Sequence, residues 1–356
     1  MNIGHSTDLT NGLHLSVDWL SWTLTENLTV DDAILMMGFD MNDFKIQPQG
    51  LNGYRSQLRH VSHSISIQYN GNENMGIHVD VSGSAIYALL NQFYQSHLVN
   101  TVFGTPAFET DSFDSTVLRE FMKCIKQYGH ITRLDLAVDD IGTNFFSLPE
   151  LHDAFSSGLY VSRFRSWKEL REYGKCPGHT IYFGSRTSSI MLRIYDKQAE
   201  QNKKLLSAEQ SPIEHTWVRW ELELKRERAQ QVMELLIQEY DLAFLTMGIL
   251  ANYLRIIEND SPRKERCSVS EKWEAFIDGI GKISLYCSEP EKTIDDNKRW
   301  LIRQVAPTLA KIVMAERTFD FLEFLVDNGF NRLTDSQLEI LNKLHGGNVY
   351  DITRNI

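Results

Sequence analysis

Cysteine is scarce and scattered: Cys124, Cys176, Cys267 and Cys287 form no C-x-x-C pair. That spacing excludes a zinc ribbon or a dithiol redox centre and leaves reduced, mostly buried thiols. No run of about 18 apolar residues occurs, so no membrane-crossing helix is expected. Residues 1–30 hold no basic stretch followed by an apolar run, so the chain is read as cytoplasmic. A glycine-rich phosphate loop, internal repeats and low-complexity tracts are absent too. Positive charge is in deficit: a net charge of −11 argues against a protein that coats nucleic acid non-specifically.

What is present is the make-up of a soluble globular protein, 42% apolar and 23% charged over 356 residues. That length suits two domains, or one domain with an extension. Charge is unevenly spread. Residues 160–230 carry fourteen Lys or Arg against nine Asp or Glu, a locally basic band in an acidic chain. Such a band suits a confined polyanion site, although a solvated surface gives the same fluctuation.

Period-two alternation or β-branched richness predicts strands over residues 13–24, 63–69, 76–81, 131–139, 180–183, 190–197 and 217–225. Helical spacing falls between them, at 84–93 and 115–128, and dominates after about residue 226, at 229–257, 296–326 and 333–344. The last stretch opens with Thr334 and Gln337 as a capping box. The segment 259–264 is the best linker candidate. The expected class is α+β, a largely antiparallel sheet followed by a helical C-terminal region, with domains at 12–228 and 229–356.

Three of these strands put polar groups on one face, because a strand sends alternate side chains to opposite sides. Along 133–139 the faces are Leu134, Leu136, Val138 and Arg133, Asp135, Asp139. Along 192–197, Arg193, Tyr195 and Lys197 share a face opposite Leu192 and Ile194. Along 219–225, Trp220, Leu222 and Leu224 lie opposite Arg219, Glu221, Glu223 and Lys225. If the strands are neighbours, carboxylates, guanidinium groups and one tyrosine form a single surface. Phosphodiester cleavage by a tyrosine needs that set: a phenol near a phosphate, cations to offset transition-state charge, and hard oxygen ligands for a metal. Asp135 with Glu221 or Glu223 supplies ligands suited to Mg²⁺ or Mn²⁺. Arg193, Lys197 and Arg219 are candidates to hold phosphate. Solvated sheet faces with cross-strand ion pairs give the same alternation.

The three segments together resemble the Rep_trans family of rolling-circle replication initiators and conjugative relaxases. Residues 132–139 look like its first acidic strand. Tyr182-Phe183-Gly184-Ser185-Arg186, then Ser188 and Arg193-Ile194-Tyr195-Asp196-Lys197, look like its catalytic-tyrosine segment, and residues 217–226 like its second acidic strand. The resemblance is specific over 130–228 and weak beyond 240. It implies that Tyr195 attacks a DNA phosphodiester to give a 5′-phosphotyrosyl link and a free 3′-hydroxyl, with Arg193 and Lys197 assisting. It also implies a metal at Asp135 and one of Glu221 and Glu223. Many other rolling-circle nucleases use a His-apolar-His metal pair, and none of the eleven histidines here forms H-x-H. The implied partners are origin DNA, duplex and single-stranded, and a host helicase, with a homodimer left open and no membrane.

Arg133, Arg163, Arg165, Arg186 and Arg219 are the DNA-contact candidates. Tyr160, Phe164, Trp167 and Tyr173 interleave with Arg163, Arg165, Lys168 and Arg171, which suits base stacking beside phosphate contacts or a solvated helix with an aromatic stripe. Tyr182, between Ile181 and Phe183, is expected in the core. His78 and Asp80 share a strand face and are expected to be structural. Two other readings compete: a non-catalytic single-stranded nucleic-acid binding module, and a metal-dependent nuclease using water. An RRM-like reader needs exposed aromatics where this chain carries Asp, Glu and Arg.

Overall fold

The computed structural model describes residues 7–8, 12–25, 27–98, 115–174, 177–278, 298, 301–330 and 332. The chain divides into two compact units, residues 1–286 and 287–356. The first unit runs β1 (Thr7–Asp8), β2 (His14–Leu24), α1 (Val30–Met37), β3 (Phe44–Ile46), β4 (Ser56–His60), β5 (Ile65–Tyr69), β6 (Ile77–Ser82), α2 (Ala85–Phe93), α3 (Ser115–Tyr128) and β7 (Gly129–Ile141). It continues with α4 (Leu148–Ser156), β8 (Tyr160–Ser162), β9 (Trp167–Arg171), β10 (His179–Phe183), β11 (Ile190–Asp196), α5 (Lys197–Ser207) and β12 (Trp217–Lys225). Then come α6 (Glu227–Ile237), α7 (Leu242–Tyr253), β13 (Leu254–Ile256) and α8 (Glu271–Ile277). In the second unit the described elements are helical and include α9 (Ala306–Glu316) and α10 (Asp320–Phe330).

One sheet carries the first unit, in the order β3-β4-β5-β6-β2-β7-β12-β11-β10-β9, with β1 on β2 and every pairing antiparallel. The class is α+β, as the alternating patterns predict. Strand β2 lies between β6 and β7, so the N-terminal hairpins and the motif-bearing strands share a surface. Parity then sorts the residues. Leu134, Leu136, Val138, Leu192, Ile194, Trp220, Leu222 and Leu224 are all buried in the core, each contributing about 1.5–3 kcal/mol. Helix α3 closes over this face because Val117, Leu118, Phe121, Met122 and Ile125 recur at three and four; Phe121 meets Trp22 edge-on at 5.2 Å.

A β-bulge resets β2. Val17 pairs with Leu136 and Trp19 with Asp135, so Asp18 is an extra residue between them. Leu15 and Val17 are core residues before it, and Leu20, Trp22 and Leu24 after it. A second shift, between Ser21 and Trp22, leaves Thr132 unpaired on β7. Gly76 opens β6 at φ +64, where a Cβ would meet the Leu24 carbonyl oxygen at 2.0 Å, so only glycine fits.

Several expectations change. The spacing over 229–257 breaks into α6, α7 and β13, because Asp241 caps α7 by accepting from Phe244 N at 2.8 Å and β13 pairs with β8. Residues 160–173 contain two short strands rather than a helix. The segment 259–264 is a closed turn inside the first unit, where Asp260 Oδ1 accepts from Ser268 N at 3.0 Å, and not a linker between units. The capping box at Thr334 and Gln337 lies outside the described residues. Among the described residues no helix is long and apolar enough to cross a membrane.

Candidate active site

The central strands bring the predicted polar residues onto one face. In register, Tyr195 stands opposite Arg219 and Asp139, Arg193 opposite Glu221, and Glu223 opposite Asp135. Strand β11 ends at Asp196, whose side chain accepts from Ala199 N at 2.7 Å and starts α5. Lys197 is thus the first residue of a helix and not a strand residue, yet its Nζ donates to the Tyr195 hydroxyl at 3.3 Å.

Tyr195 is buried and its hydroxyl donates to Glu221 Oε2 at 3.2 Å. The Arg193 guanidinium carbon lies 4.4 Å from the centre of its ring, and Arg193 Nη2 is 2.7 Å from both Glu221 oxygens. Burial raises the Tyr195 hydroxyl well above its ordinary value, with Arg219 opposing and Glu221 adding to the rise. Desolvation therefore outweighs the pull of Arg219 and Arg193 on the phenol. Burial, reinforced by Arg219, pushes the Lys197 ammonium down against the pull of Glu200, which it meets at 2.7 Å.

Asp135 is almost fully buried, and Arg133 clamps it through Nε at 2.9 Å and Nη2 at 2.6 Å. The same Nη2 reaches Glu223 Oε2 at 2.8 Å, so one guanidinium nitrogen bridges two carboxylates on adjacent strands. Lys225 pairs with the other Glu223 oxygen. Burial pushes the Asp135 carboxyl up to about 8; Arg133 pulls it down, while Glu221 and Glu223 push it further up. The donor chemistry and the crowding of negative charge fit a hard divalent cation at Asp135 and Glu223, where a guanidinium nitrogen now bridges. Glu221 is turned instead to Arg193 and Tyr195. Among the described residues no three ligating side chains converge tightly enough to hold a metal; Asp135, Glu221 and Glu223 are each engaged by an arginine.

The DNA-contact candidates separate. Arg219 is buried and fully engaged, at 2.7 Å from both Asp139 oxygens and at Asp18 through Nη1; this set holds three strands together. Asp139 also accepts from Trp217 Nε1 at 2.6 Å, so its carboxylate is committed. Arg163, Arg165 and Arg186 are exposed in neighbouring turns joined by Gly184 N donating to Ser166 O at 3.0 Å. Tyr182 departs from expectation: Ile181 and Phe183 fill the core, while Tyr182 pairs with Arg193 and is half-buried on the polar face. Asp18, the second anchor of Arg219, was not singled out from the sequence, and only the bulge discloses it.

Residues 129–326 match the profile of the replication initiation factor family, Rep_trans. The chain belongs to that family. A Bacillus subtilis (strain 168) protein, "Putative DNA relaxase NicK", is 36% identical over 203 residues, which cover 55% of this chain and 56% of that protein. This chain therefore spans just over half the length of that curated relative. The fold is similar to that of a rolling circle replication initiator protein from Geobacillus stearothermophilus, with a TM-score of 0.60, 22% identity, and coverage of 78% of this chain and 100% of that one. The profile takes in β7, β11 and β12, the three strands of the site.

Proposed function

We propose that this chain nicks one strand of origin DNA with the Tyr195 hydroxyl as nucleophile, starting rolling-circle replication or conjugative transfer from within residues 12–228. The observation that carries the reading is the Tyr195 hydroxyl itself, in hydrogen-bond reach of one carboxylate at 3.2 Å and one ammonium at 3.3 Å, beside a stacked arginine.

The phenol is protonated at rest, so attack requires its proton to leave as the bond to phosphorus forms. Glu221 accepts that proton. Lys197 donates to the phenolate oxygen as charge develops, and Arg193 holds a non-bridging phosphate oxygen. The N-terminus of α5, one residue beyond Asp196, adds its partial positive charge. The P–O3′ bond breaks, the 3′-oxygen takes a proton from solvent, and the 5′-phosphate remains esterified to Tyr195. That ester conserves the bond energy, so the strand can be rejoined without a nucleotide cofactor. A divalent cation such as Mg²⁺ or Mn²⁺, held by Asp135 and Glu223, supplies Lewis-acid polarisation of the phosphate when bound. The exposed Arg163, Arg165 and Arg186 are placed by this reading along the DNA path.

The test is incubation with a supercoiled library of candidate origins and Mg²⁺ or Mn²⁺. The expected product is a protein–DNA adduct whose peptide spans residues 193–197. Tyr195→Phe should keep DNA binding and lose at least ~10³-fold in nicking. An adduct that persists in Tyr195→Phe would move the nucleophile elsewhere, with Tyr182 first in line. Binding without any nick would favour the non-catalytic module.

A further inference from the structure

Beyond Arg133 the same sheet face opens into a polar cleft of about 530 Å³ between β4, β5, β6, β2 and the end of β12, a size within the range of small-molecule sites, ~300–1,000 Å³. Its floor is a chain of neutral hydrogen-bonding groups organised by one carboxylate. Asp80 accepts from Ser21 Oγ at 2.5 Å and from Gln68 Nε2 at 2.6 Å, with His78 Nε2 at 3.3 Å. A carboxylate only accepts, so Asp80 fixes which way each amide points. Gln68 turns its NH₂ inward and its oxygen outward, where Asn52 Nδ2 donates to it at 3.0 Å. Ser66 Oγ accepts from Gln68 at 3.0 Å and from Gln57 Nε2 at 3.1 Å. The side-chain amide oxygens of Asn52 and Gln57 are left without a protein partner among the described residues, and both residues line the cleft.

The walls suit a nucleotide. The Trp19 ring lies on the cleft with the Arg133 guanidinium 4.4 Å from its centre, a flat stacked platform. The rim carries Arg59 and Arg226, both exposed. Arg226 adopts φ +52 and ψ −126, a costly conformation for a residue with a Cβ, at the junction of β12 and α6; strain of that kind collects at ligand sites. Strand geometry separates Trp19 from Tyr195 by three strands and four residues, on the order of 20 Å between Cα atoms, a few nucleotides along a single strand.

We propose that this cleft is a base-reading subsite for the bound single strand, receiving one unpaired base a few nucleotides from the scissile phosphate. The base stacks on the Trp19–Arg133 platform, and its exocyclic amino group donates to the Asn52 and Gln57 oxygens. The adjoining phosphates meet Arg59 and Arg226. Two open acceptors select an amino-bearing base, adenine, cytosine or guanine, against thymine, which presents only carbonyl oxygens and a ring N–H. The proposal rests on the reading of Tyr195 as a DNA-nicking residue, because that reading brings a single strand to this face.

The experiment is enrichment from a random single-stranded DNA library on the full chain carrying Tyr195→Phe, followed by sequencing. The wild-type protein then nicks the enriched sequence to locate the site. The expected result is an amino-bearing base at one position near the nick, preferred about tenfold over thymine, with that preference lost in Gln57→Ala and other positions unchanged. Arg226→Ala, at an exposed residue, should weaken binding of the enriched strand several-fold and tests the rim independently. Retention of the same preference in Gln57→Ala together with unchanged affinity in Arg226→Ala would overturn the subsite and leave nicking intact. Failure of the parent to enrich any sequence would overturn both readings.

Discussion

On β7, β12 and β11 the polar face of the sheet is built from full charges, whereas on β4, β5 and β6 it is built from amides and hydroxyls around a single carboxylate. Burial raises the carboxyl in both halves, and the outcome is opposite because of what surrounds it. In the first, acids on neighbouring strands raise one another, and Asp135 is driven up to about 8 although Arg133 clamps it. In the second, burial of Asp80 is outweighed by hydrogen bonds from His78, Ser21 and Gln68, which hold its carboxyl at about 2. The charged half stays electrostatically unsettled, ready to exchange an arginine for a phosphate or a metal. The neutral half is held in one orientation by its bonds to Asp80 and keeps two acceptors open, as a recognition surface needs to be.

Removing a charge from the unsettled half has the largest expected effect. Asp135→Asn should lower nicking by roughly 10²-fold or more while DNA binding and melting temperature stay close to wild type, since shape is kept. Full nicking by this variant at ordinary Mg²⁺ would remove Asp135 from the site. Arg219 makes the opposite case, a charge whose role is architecture. Arg219→Gln leaves the buried Asp139 and the half-buried Asp18 without their counter-ion and should cost about 3–5 kcal/mol by denaturant titration; a loss below about 1 kcal/mol would show that water compensates them.

Asp80→Asn probes the settled half. The folded carboxyl is depressed from 3.8 to about 2, so its stabilisation is fully present above pH ~4 and disappears as pH falls through ~2. The stability gap between wild type and variant should be about 2 kcal/mol near pH 6 and close only as pH falls through about 2. A gap independent of pH would mean that shape, not charge, carries the effect. The smallest effect is expected at the edge of the sheet. Charge reversal of Arg163 and Arg165 should flatten the dependence of log K on log salt by about one unit per lost phosphate contact. An unchanged slope would route the DNA elsewhere.

Much of the charged half was legible in the sequence, because period-two alternation states which residues share a face and full charges stand out against apolar neighbours. The same alternation makes Tyr182 a polar-face residue, and reading it as core gave its apolar neighbours more weight than its parity. The neutral half was nearly invisible. Gln57, Ser66, Gln68 and Asn52 carry no motif; they meet through the β4–β5 pairing, and β2 brings Ser21 to them only because it inserts between β6 and β7. Strand β9 was hidden for another reason: it is an edge strand with no fully buried residue, so Trp167 and Leu170 lack the contrast that marks a strand. Whether Glu221 or Glu223 stands beside Asp135 depended on register, which the sequence of one strand does not contain.

The extra residue at Asp18 works like a shift of reading frame in the pleat. Upstream of it, His14 and Ser16 are the letters read on the polar side; downstream, Trp19, Ser21 and Thr23 are. One strand therefore writes to the nicking half and to the neutral half in different phases. Deleting Asp18 would remove the joint without turning either side over, because Val17 and Trp19 already pair with adjacent residues of β7; what it would take away is the second anchor of Arg219. The extra length of β2 thus serves the Asp18 anchor and not the alternation.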